Sequence, residues 1–228
     1  MKKVLNLVLV ACVVGLAYIC YGSVMGPINF EKEMGSREKA IIARLIDIRK
    51  AQLEYRAAHE GAYTDNLDSL IAFVKTAKVP YVFKEGVLTD EQLANGMTEK
   101  KAMALIRKAK ATGKWDEVQS AGLMNFRRDT TWVAVMDTIF TKGFNPDSLA
   151  FVPFGNGAKF EMAIRKDTMK SGAPLNLFQA QVPYEVYLKD LDAQLLKNLI
   201  DQRTKLGKYA GLRVGDVEQP NNNAGNWE

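Results

Sequence analysis

The sequence predicts an α+β protein: an N-terminal transmembrane helix, an amphipathic helix and further helices, then an antiparallel β meander and a C-terminal helix. Three patterns predict it. The run from Val4 to Met25 carries no charge. From Ser36 to about His59, apolar residues recur at helical spacing. Beyond Arg128 the apolar period changes to two, the spacing of half-buried strands.

The first segment, VLNLVLVACVVGLAYICYGSVM, would form about 33 Å of helix, close to the hydrocarbon thickness of a bilayer. Lys2 and Lys3 precede it, so the N-terminus is expected in the cytoplasm and the C-terminal body outside it. A cleaved secretory signal is the competing reading, but no A-x-A site precedes Gly26. Leu9-Val10-Ala11-Cys12 fits a lipoprotein cleavage pattern, yet the run continues apolar beyond it. An uncleaved anchor over residues 1–25 is the preferred reading. Both cysteines, Cys12 and Cys20, lie in this anchor and read as small apolar residues, so the body must fold without a disulfide.

Gly26-Pro27 is expected to end the membrane helix, with a polar linker over 26–35. Residues 36–126 read as mainly helical and 127–228 as antiparallel sheet with a terminal helix and polar tail, 36–228 forming one domain. Ser36 is placed as the cap of a second helix. Its stripe of Ile41, Leu45, Ile48 and Tyr55, flanked by Ile42, Ile46 and Leu53, faces a core. A heptad seam, with Ile41, Ile48 and Tyr55 at one position and Leu45, Gln52 and His59 at the other, is the weaker alternative, because Arg44, Arg49 and Arg56 would flank it and repel in a parallel pair. Gly61 suits the left-handed residue after a helix, and Asp65 is placed as the next cap. Leu67, Leu70, Ile71 and Val74 form the apolar face that follows, and Tyr55 and Tyr63 flank the turn.

The stretch VPYVFKEGVL suggests a short strand pair, Thr89–Gln92 a capping box, and Thr98 the cap of a basic helix over 100–114. That helix carries Ala102, Leu105, Ile106 and Ala109 on a narrow apolar face. It reads as a solvated face or as a contact for anionic headgroups or an acidic partner. Strands are predicted over 132–136, 148–154, 159–165 and 175–182, with Gly155-Asn156-Gly157 turning a hairpin. The last helix starts near Asp192. The tail EQPNNNAGNWE is expected to be loosely held, with Trp227 folded back, disordered or captured through the terminal carboxylate and indole.

Ala51, Gln52, Tyr55, Gly61, Tyr63, Leu67 and Leu70 spell A-Q-x-x-Y, then G-x-Y and L-x-x-L. Over residues 36–75 this resembles the N-terminal region of type II secretion pseudopilins and type IV pilins. Such precursors are cut after a glycine that precedes the apolar run; here Gly26 has Glu31 five residues on, but the run lies before it. The whole chain also looks like a group of single-pass bacterial envelope proteins. That resemblance implies an inner-membrane anchor with a periplasmic domain.

Chemistry is sparse. The one histidine, His59, has no histidine or domain cysteine as partner, which excludes the common zinc sites. It reads as a charge partner for a helix C-terminus. Neither a serine-hydrolase elbow nor a phosphate-cradling glycine loop occurs. Asp129, Asp137 and Asp147 fall at ends of predicted strands, where an acid/base or metal site would assemble; capping and turns account for each as well. FRRDTTW suggests an anion site or a salt bridge opening a strand. The net charge of +5 includes Lys2 and Lys3, and the near-balanced remainder predicts no nucleic-acid partner.

The expectation is therefore a membrane-anchored structural or assembly protein outside the cytoplasm. It is not an enzyme, has no cofactor, metal or catalytic residue, and acts through protein–protein contacts. Its partners would be the bilayer, through residues 4–25, and other envelope proteins or further copies of itself. Candidate interaction residues are Tyr55, Gly61, Tyr63, Trp132 and Trp227. The alternative is an anchored module for a glycan, peptide or lipid, with Trp132, Phe151, Phe154 and Tyr184 lining a cleft; an Asp-dependent enzyme is the third reading.

Overall fold

The first helix, α1 (Lys2–Ala58), is 57 residues long, about 85 Å. The computed structural model describes residues 2–169 and 172–228; side chains at 2–5, 7, 8, 81, 82 and 129 lie outside that description. Two expectations change at once. No linker separates residues 26–35, and Ser36 does not begin a helix, because α1 runs through both with Pro27 inside it. A proline removes one donor, and the turns on either side keep theirs, so strongly helical flanks carry the chain across.

What divides α1 is its surroundings. Among the described side chains, the large apolar ones from Leu9 to Ile28 are exposed apart from the half-buried Met25, and Phe30 is the first buried residue. Of the described residues, this is the one helix long and apolar enough to cross a membrane. Beyond Phe30 a buried row continues through Ile41, Leu45, Ile48, Ala51 and Gln52, each fully inaccessible. This row follows the three-four spacing of one helical face. Leu53, expected beside the stripe, is 42% exposed.

The chain folds as two compact units, 1–75 with 139–228 and the intervening 76–138, where the sequence had suggested one domain. Neither boundary carries a Gly/Pro-rich linker to announce it. In the first unit, α1 is followed by α2 (Leu67–Thr76), whose buried residues are Leu67, Leu70, Ile71 and Val74. Asn66, not Asp65, caps it: the Asn66 Oδ1 accepts from the amides of Asp68 (2.9 Å) and Ser69 (3.1 Å).

The second unit holds strand β1 (Lys78–Glu85), short α3 (Asp90–Ala94), basic α4 (Glu99–Thr112), short α5 (Asp116–Ser120) and strand β2 (Arg127–Ala134). A last short helix, α6 (Val135–Ile139), starts within it. The capping box at Thr89–Gln92 and the Thr98 cap form as read. No strand pair forms within VPYVFKEGVL. Those residues make one strand, which pairs antiparallel with β2 from Lys78↔Ala134 to Glu85↔Arg127. A separate small core gathers Leu88, Ala102, Ala109, Val118, Leu123 and Phe126.

In the first unit the chain resumes with a 3-10 turn, Pro146–Leu149, where a strand over 148–154 was expected. Pro146 starts the turn and the Asn145 side chain caps it, so local chemistry overrides the period-two pattern. Gly155-Asn156-Gly157 does turn the chain, but the ladder it closes is the single bridge Phe151↔Lys159. Strand β3 (Glu161–Thr168) then pairs with β4 (Pro174–Pro183). Two short helices, α7 (Tyr184–Tyr187) and α8 (Ala193–Lys205), lead to β5 (Gly211–Gly215), which completes the antiparallel order β3-β4-β5. The Asp192 side chain caps α8 as read. The buried face of α1 packs on β4, β5 and the 3-10 turn, so Ile41, Leu45, Ile48 and Gln52 of the heptad seam are buried within this unit, while Tyr55 is half-buried and His59 exposed.

Arg37 fastens α1 to the loop after α7. Its two terminal nitrogens address both Asp190 oxygens (2.5 and 2.7 Å), and one also donates to the Tyr187 carbonyl (2.7 Å). The hydrogen bond from Arg37 holds the Asp190 carboxyl at about 2, below its ordinary 3.8. A depressed carboxylate stabilises the fold above its unfolded value, and that contribution disappears as pH falls from about 4 toward 2. Asp190→Asn is expected to flatten stability against pH across that window in acid titration; an unchanged slope would rule the pair out. Leu45→Ala is expected to cost about 2–5 kcal/mol in denaturant unfolding of the detergent-solubilised chain. A loss below about 1 kcal/mol would contradict the packing of α1 on the sheet.

Candidate functional site

The turn after α1 is where the candidate residues Tyr55, Gly61 and Tyr63 meet. Its geometry begins with the helix end. The Gly61 amide donates to the Arg56 carbonyl (2.9 Å), a six-residue closure that needs left-handed backbone just before or at the glycine. Glu60 (φ 52°) and Gly61 (φ 88°) both supply it. Gly61 also offers its carbonyl to the Asn176 side-chain amide from β4 (2.8 Å). The glycine is thus set by backbone conformation and by a partner on the sheet.

Gln52 fixes the return strand of the turn. It is fully buried, and its amide meets the Thr64 backbone at both groups: Nε2 donates to the Thr64 carbonyl (2.5 Å), and the Thr64 amide donates to Oε1 (3.3 Å). A buried amide is tolerated only when satisfied, so Gln52 specifies the turn's position against the helix. The glutamine of A-Q-x-x-Y therefore has a structural function here.

The tyrosines part company. Tyr55 stacks on His59 (centroids 3.8 Å apart) and meets Phe73 of α2 edge-on at 5.1 Å. His59 Nδ1 lies 2.8 Å from the Tyr55 carbonyl, the helix-end contact expected of it. Tyr63 turns instead to the sheet, packing on Phe178 at 4.9 Å with the Arg56 guanidinium 5.4 Å from its ring. The Tyr63 hydroxyl accepts from Arg56 (3.2 Å) and from the Asn223 side chain (3.0 Å).

That last contact brings in the tail, which is held and not loose. The Gly215 amide donates to the Ala224 carbonyl (3.0 Å), and the Asn226 amide to the Arg213 carbonyl (2.9 Å), extending the β5 edge. Arg49 on α1 donates to the Asn223 carbonyl (3.2 Å) and to the Glu228 side chain (2.7 Å). Trp227 is half-buried and lies over Gly225, where any Cβ would overlap the indole. Polar turn-rich composition concealed this, because the bonds come from residues distant in sequence. Tyr63 and the tail thus form one network, while Trp132 belongs to the second unit, on β2, and is 66% exposed.

The other candidates disperse. Tyr184 is buried, whereas Phe151 and Phe154 are about half exposed. Asp147 lies in the 3-10 turn, one residue after Pro146, and pairs with Lys75 (2.6 Å). Asp137 sits in the first turn of α6, and the Asp129 side chain lies outside the described residues. No group of three His, Cys, Asp or Glu among the described residues could hold a metal. The arrangement is a hydrogen-bonded corner tied by Gln52, Asn176 and Asn223.

Gln52→Leu is expected to destabilise the chain by about 1–3 kcal/mol, because it strands the Thr64 amide and carbonyl in the core. Unfolding midpoints compared with wild type would check this, and an equal or raised midpoint would show the pair to be dispensable. Compared with known proteins, the chain matches no family model, no curated protein and no solved structure.

Proposed function

We propose that this chain is a membrane-anchored structural or assembly protein of the bacterial cell envelope, pseudopilin-like in its N-terminal helices and working through protein–protein contacts. One observation carries the reading: α1 continues unbroken from an exposed apolar half into a half packed on an antiparallel sheet. A continuous helix of this kind couples an anchor rigidly to a folded body, whereas a flexible linker would let the body wander. Unbroken helices also belong to the pilin-like resemblance, and Pro27 does not interrupt this one.

In this reading α1 spans the inner membrane once, with Lys2 and Lys3 on the cytoplasmic side and the folded units in the periplasm. Both cysteines lie on the exposed apolar half of α1, so the units hold together without disulfides, by packing and by polar clamps such as Gln52–Thr64 and Arg37–Asp190. The Gln52–Thr64 clamp fixes the turn at the far end of α1 in one geometry, which suits a surface that repeats in an assembly.

Cross-linking in intact cells followed by mass measurement in mild detergent tests it. The expected result is a discrete assembly that disappears when α1 is interrupted by a flexible insertion after Gly35 while both units stay folded. A monomer under native expression, unchanged by cross-linker, would overturn the proposal.

A further inference from the structure

The second unit contains a cleft that the assembly role does not use. Helix α4 lines one side of it and the antiparallel β1–β2 pair the other. Its larger chamber, about 600 Å³, is lined by Lys84, Lys100, Arg107 and Arg128, with Glu99 and Thr130 among them. A smaller chamber of about 230 Å³ shares Met103, Arg107 and Arg128 with it and adds Lys110 and Arg127. Among the described residues the two linings together hold six cations and one acid, Glu99, which is already bound to Arg128 at 3.0 Å. Cations gathered around one concave space focus a positive potential and raise the local concentration of anions.

Arg128 is fixed in place. One terminal nitrogen donates to the carbonyls of Glu85 (2.9 Å), Gly86 (3.1 Å) and Arg127 (2.9 Å), and its guanidinium carbon lies 4.1 Å from the centre of the Phe126 ring. The side chain is 9% exposed, yet its Nε is buried with no hydrogen-bond partner. Buried donors without partners are uncommon and call for a reason. A guanidinium held this firmly loses little entropy on meeting an anion.

The strand register adds an aromatic group. Arg128, Thr130 and Trp132 alternate onto one face of β2, and Lys84 is the cross-strand partner of Arg128 on that face. Trp132 lies one pleat, about 7 Å, beyond Thr130 and is 66% exposed. Charge, hydroxyl and a flat indole thus stand in line.

We propose that this cleft binds an anionic polysaccharide, a chain of sugar rings bearing carboxylate or phosphate groups, with the cations addressing the charges and Trp132 stacking on a ring. An acyl chain would need an enclosed apolar pocket, whereas this cleft is open and its apolar side chains, Met103, Ala104 and Ile106, stand among the cations. An acidic peptide would answer the cations but supplies no ring to cover the indole.

The test titrates the full chain in detergent micelles with polygalacturonate, a phosphomannan, neutral dextran, polyglutamate and single-stranded oligothymidylate, by calorimetry. At least one charged polysaccharide is expected to bind, more weakly as salt rises, and dextran not at all. Lys100→Glu with Arg107→Glu, both exposed and on one face of α4, is expected to weaken binding at least about tenfold with the circular dichroism unchanged. Trp132→Ala is expected to weaken polysaccharide binding severalfold. Lys114→Glu, exposed and outside the lining, is expected to leave it unchanged. Failure of both charged polysaccharides to bind would overturn the proposal. So would polyglutamate or oligothymidylate binding as tightly as either of them, or an equal loss from Lys114→Glu.

Discussion

The structure depends on how one face of α1 is used after Phe30. Ile41, Leu45, Ile48 and Ala51 disappear completely beneath β4 and β5, and everything else in the first unit is arranged around that contact. Each fully buried aliphatic side chain contributes about 1.5–3 kcal/mol relative to exposure, so this row alone accounts for a substantial part of what a small unit can hold in reserve. The same helix, a few turns earlier, presents Leu9, Val13, Leu16 and Ile19 to its surroundings with nothing packed on them. One covalent rod therefore serves two apolar environments, a sheet for one half and a bilayer in the proposed reading for the other.

A helix this long leaves the chain far from where it must return, and the turn at Gly61 manages the reversal. Its polar clamps are of a kind that hydrophobic packing alone does not provide. Gln52 reads the backbone of Thr64, Asn176 reads Gly61, and Asn223 reads Tyr63. Each is directional, so together they choose one turn geometry among the several that would bury similar apolar area. The tail is recruited into the same network through Arg49, which ties the two ends of the unit's chain together.

The second unit has different chemistry. Its core is small, built from Ala102 and Ala109 of α4, Val118 of α5 and the loop residues Leu88, Leu123 and Phe126, and its surface concentrates cations around one cleft. Gathering like charges costs stability, and Arg128 offsets part of that by using its internal contacts to hold Glu99 close. The hydrogen bond from Arg128 lowers the Glu99 carboxyl from its ordinary value.

Local patterns were legible in the sequence, and they were legible because they are decided by neighbours along the chain. The Thr89 capping box, the Thr98 and Asp192 caps and the apolar face of α2 require only residues within one or two turns. So did the exposed apolar run that opens α1, which is a matter of composition. The tertiary structure alone decided the rest. Whether Pro27 broke the helix depended on how strongly both flanks propagate, and Asn66 displaced Asp65 as a cap because of where the turn places its backbone. β1 found its partner across the whole of α3, α4 and α5, and β5 and the tail were ordered by bonds to residues far away in sequence. Fifteen-residue windows carry propensity and period. Pairing over long loops depends on which distant surface buries more area and satisfies more donors, and only the folded chain settles that.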